Sequence, residues 1–339
     1  MTGGPVRLGL LGAGRIGKTH ARSIADSEGA HLVAVADPDD AAVAAVVQAT
    51  GTRAASVEEV LSDSAIEGIL IATPTDLHAD LIERAAAAGK AIFCEKPIDL
   101  DLSRARRSVA AAGRCGVPLM IGFNRRFDPS FRRLRDEIDG GRIGAVELVQ
   151  ITSRDPAPPP LDYVRRSGGL FRDMMIHDLD MARFLVGEAI VEVTATGSAL
   201  VDKAIGEAGD VDTAVAVLRS AGGRLCVISN SRRATYGYDQ RIEVHGSEGM
   251  VSAGNPVATT VTRADRSGFA TDPLNDFFMD RYADAYREEI ATFCAVVRGV
   301  DMPYPSGKDG LAALAIADAA SQSLATGRAV KVVDTERTN

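Results

Sequence analysis

The sequence predicts two domains: an α/β N-terminal domain on a doubly wound parallel sheet, then an α+β C-terminal domain with an open, largely antiparallel sheet. Three observations lead there. Short apolar runs alternate with helix-period segments over residues 1–123. After Phe123 an alternation of period two takes over. The 339 residues also exceed the roughly 100 to 200 that one ordinary domain holds. The domains are therefore placed at 1–123 and 124–339, with the C-terminal helices able to pack back on the first.

In chain order the first domain reads as a strand at 6–11, a helix at 16–26, a strand at 31–36, a helix at 41–50 and a strand at 68–72. A helix at 76–88, a strand at 91–94, a helix at 102–114 and a strand at 118–122 complete roughly six strands. These strands are nearly all apolar because helices cover both faces of such a sheet. In the second domain, alternating segments at 146–152, 191–196, 211–218, 224–229 and 241–244 read as strands. Gly222-Gly223 and the stretch 246–249 are hairpin turn signals. The proline-rich run 155–160 can be neither helix nor central strand and reads as a loop. Helical patterns at 276–298 and 308–326 close the chain. An open sheet with a broad outer face suits pairing with a copy of itself, so a homo-oligomer is expected.

With 46% hydrophobic and 25% charged residues the chain is an ordinary globular one, and its net charge of −8 offers no basic field for nucleic acid or an anionic membrane. Cys94, Cys115, Cys226 and Cys294 lie far apart without metal or disulfide spacing, which implies reduced thiols and a cytoplasmic location. No stretch of about 18 apolar residues occurs, and the N-terminus runs straight into a strand, so neither export nor a membrane span is expected.

The strongest motif is Gly12-Ala13-Gly14-Arg15-Ile16-Gly17, directly after the first strand and opening a helix. Gly12 permits the tight turn, Gly14 lets backbone approach a pyrophosphate, and Gly17 allows close helix packing; the helix N-terminus supplies amide donors. The second strand ends at Asp37, twenty residues past Gly17, where a carboxylate can accept from the adenosine ribose hydroxyls. Its charge would repel a 2′-phosphate, and no Lys or Arg occurs before Arg53 to offset that, so NAD is expected over NADP. Thr73 and Pro74, at the carboxyl end of the third main strand, should line the same cofactor crevice. His78 follows the expected helix cap at Thr75 or Asp76; it reads as a helix-surface histidine beside the cofactor residues, outside the catalytic set. Glu95-Lys96-Pro97 ends the next strand and puts Glu95 and Lys96 at the crevice rim, beside a proline that could be cis. Lys96 could polarise a reacting hydroxyl oxygen.

In the second domain Asp173 and His177 sit four apart in a segment read as one helix. At that spacing both side chains share a face, and the carboxylate can orient the imidazole as a general base. The alternatives are a satisfied structural histidine or a metal site. With five histidines in the chain and no second ligand cluster, no metal is expected.

Taken together these segments resemble the Gfo/Idh/MocA family of NAD(P)-dependent oxidoreductases over nearly the whole chain. The likeness is carried by Gly12 to Gly17, 72–78, Glu95-Lys96-Pro97, 122–128 and 168–184; the loop 154–160 and the stretch 236–241 are similar to the family's inositol-oxidising members. The resemblance implies a catalytic set of Lys96, Asp173 and His177, with His177 as acid/base, Asp173 its partner and Lys96 on the substrate oxygen. It implies a polyol pocket that also includes Arg126, Asp155 and Tyr236, with Arg125 an alternative to Arg126. It further implies NAD as cofactor, a small polyol as substrate, oxidation of myo-inositol or a related inositol to a keto-inositol, and a homotetramer. Another cyclic polyol or an aldose would use the same apparatus, and a dinucleotide-binding regulator without turnover is the reading from a different class.

Overall fold

The computed structural model describes residues 4–335, which divide into two compact units. One comprises the described residues up to Phe127 together with Asp284–Ala312; the other comprises Asp128–Ala283 and those from Ala313 on.

The first unit begins β1 (Val6–Leu11), α1 (Arg15–Ala25), β2 (Ala30–Ala36), α2 (Asp40–Thr50), β3 (Arg53–Ala54) and α3 (Val57–Ser62). It continues with β4 (Gly68–Ile71), α4 (His78–Ala87), β5 (Ala91–Cys94), α5 (Leu102–Cys115) and β6 (Leu119–Ile121). The strands form one parallel sheet in the order β3-β2-β1-β4-β5-β6, so the order reverses between β1 and β4. β4, β5 and β6 are buried along their whole length, which is why their sequences carry no alternation. Two elements go beyond the sequence reading: the two-residue edge strand β3 and the short helix α3. The helix did carry a signal, because Ser56 and Glu59 form a capping box, Ser56 Oγ accepting from Glu59 N and Glu59 Oε2 from Ser56 N.

The rest of the chain runs α6 (Pro129–Asp139), β7 (Val146–Arg154), α7 (Leu161–Val164), α8 (Gly169–Asp173), α9 (Ile176–Val186), β8 (Ile190–Ser198) and α10 (Lys203–Glu207). Then come β9 (Thr213–Ser220), β10 (Leu225–Ser231), β11 (Asp239–Gly246), β12 (Gly249–Ala253), β13 (Thr262–Asp265) and β14 (Gly268–Thr271). It closes with α11 (Phe278–Arg281), α12 (Ala283–Val297), α13 (Gly307–Thr326) and β15 (Val330–Lys331). Within the first unit α12 presents Phe293, edge-on to Phe93 with centroids 5.7 Å apart. A side chain at Gly68 would press on that ring at 3.1 Å, so glycine lets it approach.

The second unit is built on a seven-stranded mixed sheet, β12-β11-β7-β10-β9-β8-β15, in which only β7 and β10 are parallel. In β9 Ala214, Ala216 and Leu218 are buried while Val215 and Val217 are exposed, the alternation of a sheet with one covered face. α9 is tied to that covered face by Asp178, whose carboxylate accepts from Ser153 Oγ of β7 at 2.8 Å and Asn230 Nδ2 of β10 at 2.9 Å. The helical pattern read at 276–298 is two helices, α11 and α12, separated at Tyr282.

Asp128 caps α6, accepting from Ser130 N and Phe131 N at 3.1 Å each, and also takes the buried guanidinium of Arg281. Arg281 lies over the rings of Phe131 and Tyr282, at 5.4 and 4.8 Å from their centroids. Removing one member of a buried pair strands the other charge. Arg281→Ala is therefore expected to lower unfolding free energy by about 3–5 kcal/mol, read as a fall in the urea midpoint; an unchanged midpoint would show that the pair contributes nothing net.

Candidate active site

In the first unit the residues with cofactor chemistry gather at the carboxyl ends of β1, β2, β4 and β5, around the reversal of strand order. Gly12 leaves β1 at φ +101°, with its N–H on Ala36 O at 2.8 Å; a Cβ there would stand 2.4 Å from the Ala72 carbonyl oxygen. At Gly17 a Cβ would lie 2.1 Å from Gly12 O, so only glycine lets α1 start this close to the turn. Gly14 caps α1 with no side-chain cap, a Cβ added to it would meet nothing within 4 Å, and the first turn holds no acidic residue. Uncapped amides beside open space suit a pyrophosphate. Arg15 is exposed and Ile16 half-buried on the first turn.

Asp37 accepts from Ala13 N through Oδ2 at 2.6 Å and from Asp39 N through Oδ1 at 2.8 Å, which holds its carboxylate against the glycine turn. A carboxylate has about four acceptor positions, so capacity remains for two ribose hydroxyls. Thr73 Oγ1 is buried with no hydrogen-bond partner in the protein, a polar atom at the end of β4 suited to a ligand. The residues present therefore fit a dinucleotide without a 2′-phosphate.

His78 is not a surface histidine: it is fully buried, with Nδ1 2.8 Å from Pro97 O and Nε2 2.8 Å from Thr73 O. A 3-10 turn, Thr75–Leu77, precedes α4 and turns the ring inward, so neither Thr75 nor Asp76 caps α4. Burial depresses its pKa, opposed by the two carbonyls. The imidazole thus joins the Thr73 loop to the segment carrying Lys96, whose bond to Pro97 is cis. Lys96 itself is half-buried. Glu95 is buried and directed at α1, where Oε1 meets His20 Nε2 at 2.7 Å. Glu289 of α12 is fully buried, its carboxyl oxygens without hydrogen-bond partners, and burial followed by the charge of Glu95 pushes its pKa well above the usual carboxylate range. The sequence reading missed it, although an acid inside the stripe Ala285, Tyr286, Ile290, Phe293 is a visible anomaly. Arg126, in a 3-10 turn, pairs with Asp309 at 2.9 Å, and the adjacent Arg125 is buried.

In the second unit Asp173 ends α8 and His177 is the second residue of α9. They do not ride one continuous helix. Met174 N and Met175 N both donate to Leu170 O, at 3.0 and 2.9 Å, which terminates α8 before α9 begins. What holds Asp173 comes from elsewhere: Tyr163 Oη donates to Oδ1 at 2.8 Å, and the buried Arg232 donates through Nη2 to Oδ2 at 3.2 Å. Neither partner was legible from spacing. His177 is half-buried, and Asp178 beside it anchors α9 to the sheet.

Asp155, half-buried, leaves β7 with its N–H on Ser231 O at 3.0 Å. Tyr236 is exposed; its hydroxyl donates to Asp239 Oδ2 at 2.8 Å and accepts from Arg154 Nη1 at 3.1 Å. Burial raises the pKa of Asp239, but hydrogen bonds from Arg241, Tyr236 and Asn255 outweigh it and leave the group below the ordinary carboxylate value. Among the described residues no helix is long and apolar enough to cross a membrane.

Two family models match the chain. The oxidoreductase family, NAD-binding Rossmann fold, matches residues 6–123, and the GFO/IDH/MocA C-terminal domain matches residues 131–252. Inositol 2-dehydrogenase of Rhizobium meliloti (strain 1021) is 56% identical over 328 residues, 96% of this chain and 99% of the relative. Myo-inositol 2-dehydrogenase of Thermotoga maritima is 45% identical over 329 residues, 96% of this chain and 98% of the relative. A crystal structure of scyllo-inositol dehydrogenase from Lactobacillus casei with bound NAD(H) and scyllo-inositol superposes with a TM-score of 0.90 at 29% identity, covering 97% of this chain and all of that one.

Proposed function

The chain belongs to the Gfo/Idh/MocA family of oxidoreductases, and from that premise we propose that it oxidises myo-inositol or a close isomer to the keto-inositol. It is an NAD-dependent dehydrogenase acting on a CH–OH group. The observation that carries the substrate is the likeness, along the whole chain, to relatives named for inositol oxidation.

When bound, NAD+ supplies the hydride-accepting nicotinamide; the remaining chemistry falls to the chain. Gly12, Gly14, Arg15, Ile16 and Gly17 hold the pyrophosphate, Asp37 takes the adenosine ribose, and Thr73, Pro74, His78, Glu95 and Lys96 form or support the crevice rim. His177 removes the hydroxyl proton as the C–H bond breaks, which keeps positive charge from building on the substrate oxygen. Asp173 orients the imidazole and offsets the charge it gains. The Lys96 ammonium donates to the reacting oxygen and stabilises negative charge there. Arg126, Asp155 and Tyr236 match the ring hydroxyls, since a polyol needs fixed donors and acceptors to be held in one orientation. Val215, Val217 and Leu225 share the exposed face of neighbouring strands, and this supports a homo-oligomer.

The test is NADH formation by the purified chain with NAD+ and, separately, myo-, scyllo- and chiro-inositol, glucose and xylose. Turnover with an inositol and little with the sugars is expected. Preferential turnover of a sugar would overturn the substrate while keeping the chemistry.

A further inference from the structure

We propose that Tyr163 and Arg232 are positioning residues of the reaction: from two separate elements they lock the Asp173 carboxylate in the orientation in which it supports His177. This rests on the roles of Asp173 and His177 given above.

Asp173 is the last residue of α8, directly before the backbone turn at Met174 and Met175. A carboxylate on such a site can rotate about its Cβ–Cγ bond, and a misrotated carboxylate would leave the imbalance of charge and the wrong tautomer on its imidazole partner. Two donors remove that freedom, one on each oxygen. Tyr163 reaches Oδ1 at 2.8 Å from α7, and Arg232 reaches Oδ2 at 3.2 Å from the segment after β10. Opposed donors on the two oxygens define the plane of the carboxylate, which a single hydrogen bond does not.

The two supports differ in kind. Arg232 is built into the sheet: its N–H donates to Asp212 O at 2.8 Å, directly after Ser231, which pairs with both Arg154 and Thr213. Its side chain is 1% exposed, and its Nε is buried with no hydrogen-bond partner. A buried guanidinium with an unmatched donor costs stability, so its place is not explained by the fold's needs alone. Tyr163 is 46% exposed on a four-residue helix behind the proline-rich loop. Its hydroxyl contributes little to the core, which makes it the better residue to test.

Tyr163→Phe in the full chain removes one hydroxyl at an exposed position. With myo-inositol and NAD+ it is expected to lower kcat about tenfold, the order of one hydrogen bond to a charged group. KM for myo-inositol and the NAD Kd should stay unchanged. In an Asp173→Asn background the same substitution should add no further loss, because the group it acts through is gone. Arg232→Lys, which keeps the charge, should retain more activity than Arg232→Met. If the Arg232 variants fail to fold, the Tyr163 variants decide alone; if Asp173→Asn is too slow to measure, the division between kcat and KM in Tyr163→Phe decides. A rise in KM at constant kcat would make Tyr163 a substrate-binding residue and overturn the proposal. So would losses that multiply in the double variant, or an unchanged kcat. Asp173→Asn at full parental rate would instead bring down the assignment of Asp173 and this proposal with it.

Discussion

His177→Ala is expected to lower kcat by about 10²–10⁴, the contribution usual for a positioned acid/base, while NAD affinity is retained. The expectation follows from the two-unit organisation: the glycine turn, Asp37 and Thr73 all belong to the first unit, and His177 to the second. The imidazole's removal leaves Asp178, its bonds to Ser153 and Asn230, and hence the seat of α9 on the sheet untouched. A variant with normal melting, normal NADH binding and collapsed turnover would establish the role. A variant that turns over at near-normal rate would remove it.

Gly17→Ala should weaken NAD binding by roughly 10- to 100-fold, the equivalent of about 1–3 kcal/mol for forcing a methyl group into a packed site. The new methyl would lie 2.1 Å from a backbone oxygen, Gly12 O, which no side-chain adjustment can relieve. The start of α1 must move off the turn, and the amides aimed at the pyrophosphate move with it. Gly14→Ala is the matching control, since its methyl meets no protein atom within 4 Å. It should leave the melting temperature unchanged and still reduce NAD affinity. Fluorescence titration with NADH, alongside thermal melts, separates the two. Equal affinity in both variants and the parent would mean that the dinucleotide does not lie against this turn.

How far each part of the molecule could be read in advance follows from the range of the forces that shape it. β1 and β5 have the bounds expected from their apolar runs, because a strand buried on both faces announces itself residue by residue. The hairpins joining β9 to β10 and β11 to β12 were visible in their glycines: Gly223 takes φ +89°, and a Cβ on Gly246 would stand 2.3 Å from Ile143 O. β3 escaped because two exposed residues carry no pattern. The glycine turn was legible for a different reason: every group in it is contributed by one stretch of six residues, so its chemistry is local.

The surroundings of the catalytic candidates were not local. Arg232 meets Asp173 across 59 residues of chain, and Glu95 meets His20 across 75. A helix cap at Thr75 or Asp76 predicts a surface position for His78; the 3-10 turn that precedes α4 instead rotates it inward onto two carbonyl oxygens. The four-residue spacing of Asp173 and His177 implied one helix, and the chain broke it at Met174 and Met175. By itself, then, the sequence determined the two architectures and the dinucleotide turn, both of which depend on short-range patterning and backbone sterics. Only the tertiary structure decided which groups fix Asp173, Glu95 and His78, because hydrogen bonds between buried side chains depend on strand order and helix packing, which bring distant residues within 3 Å or so of one another.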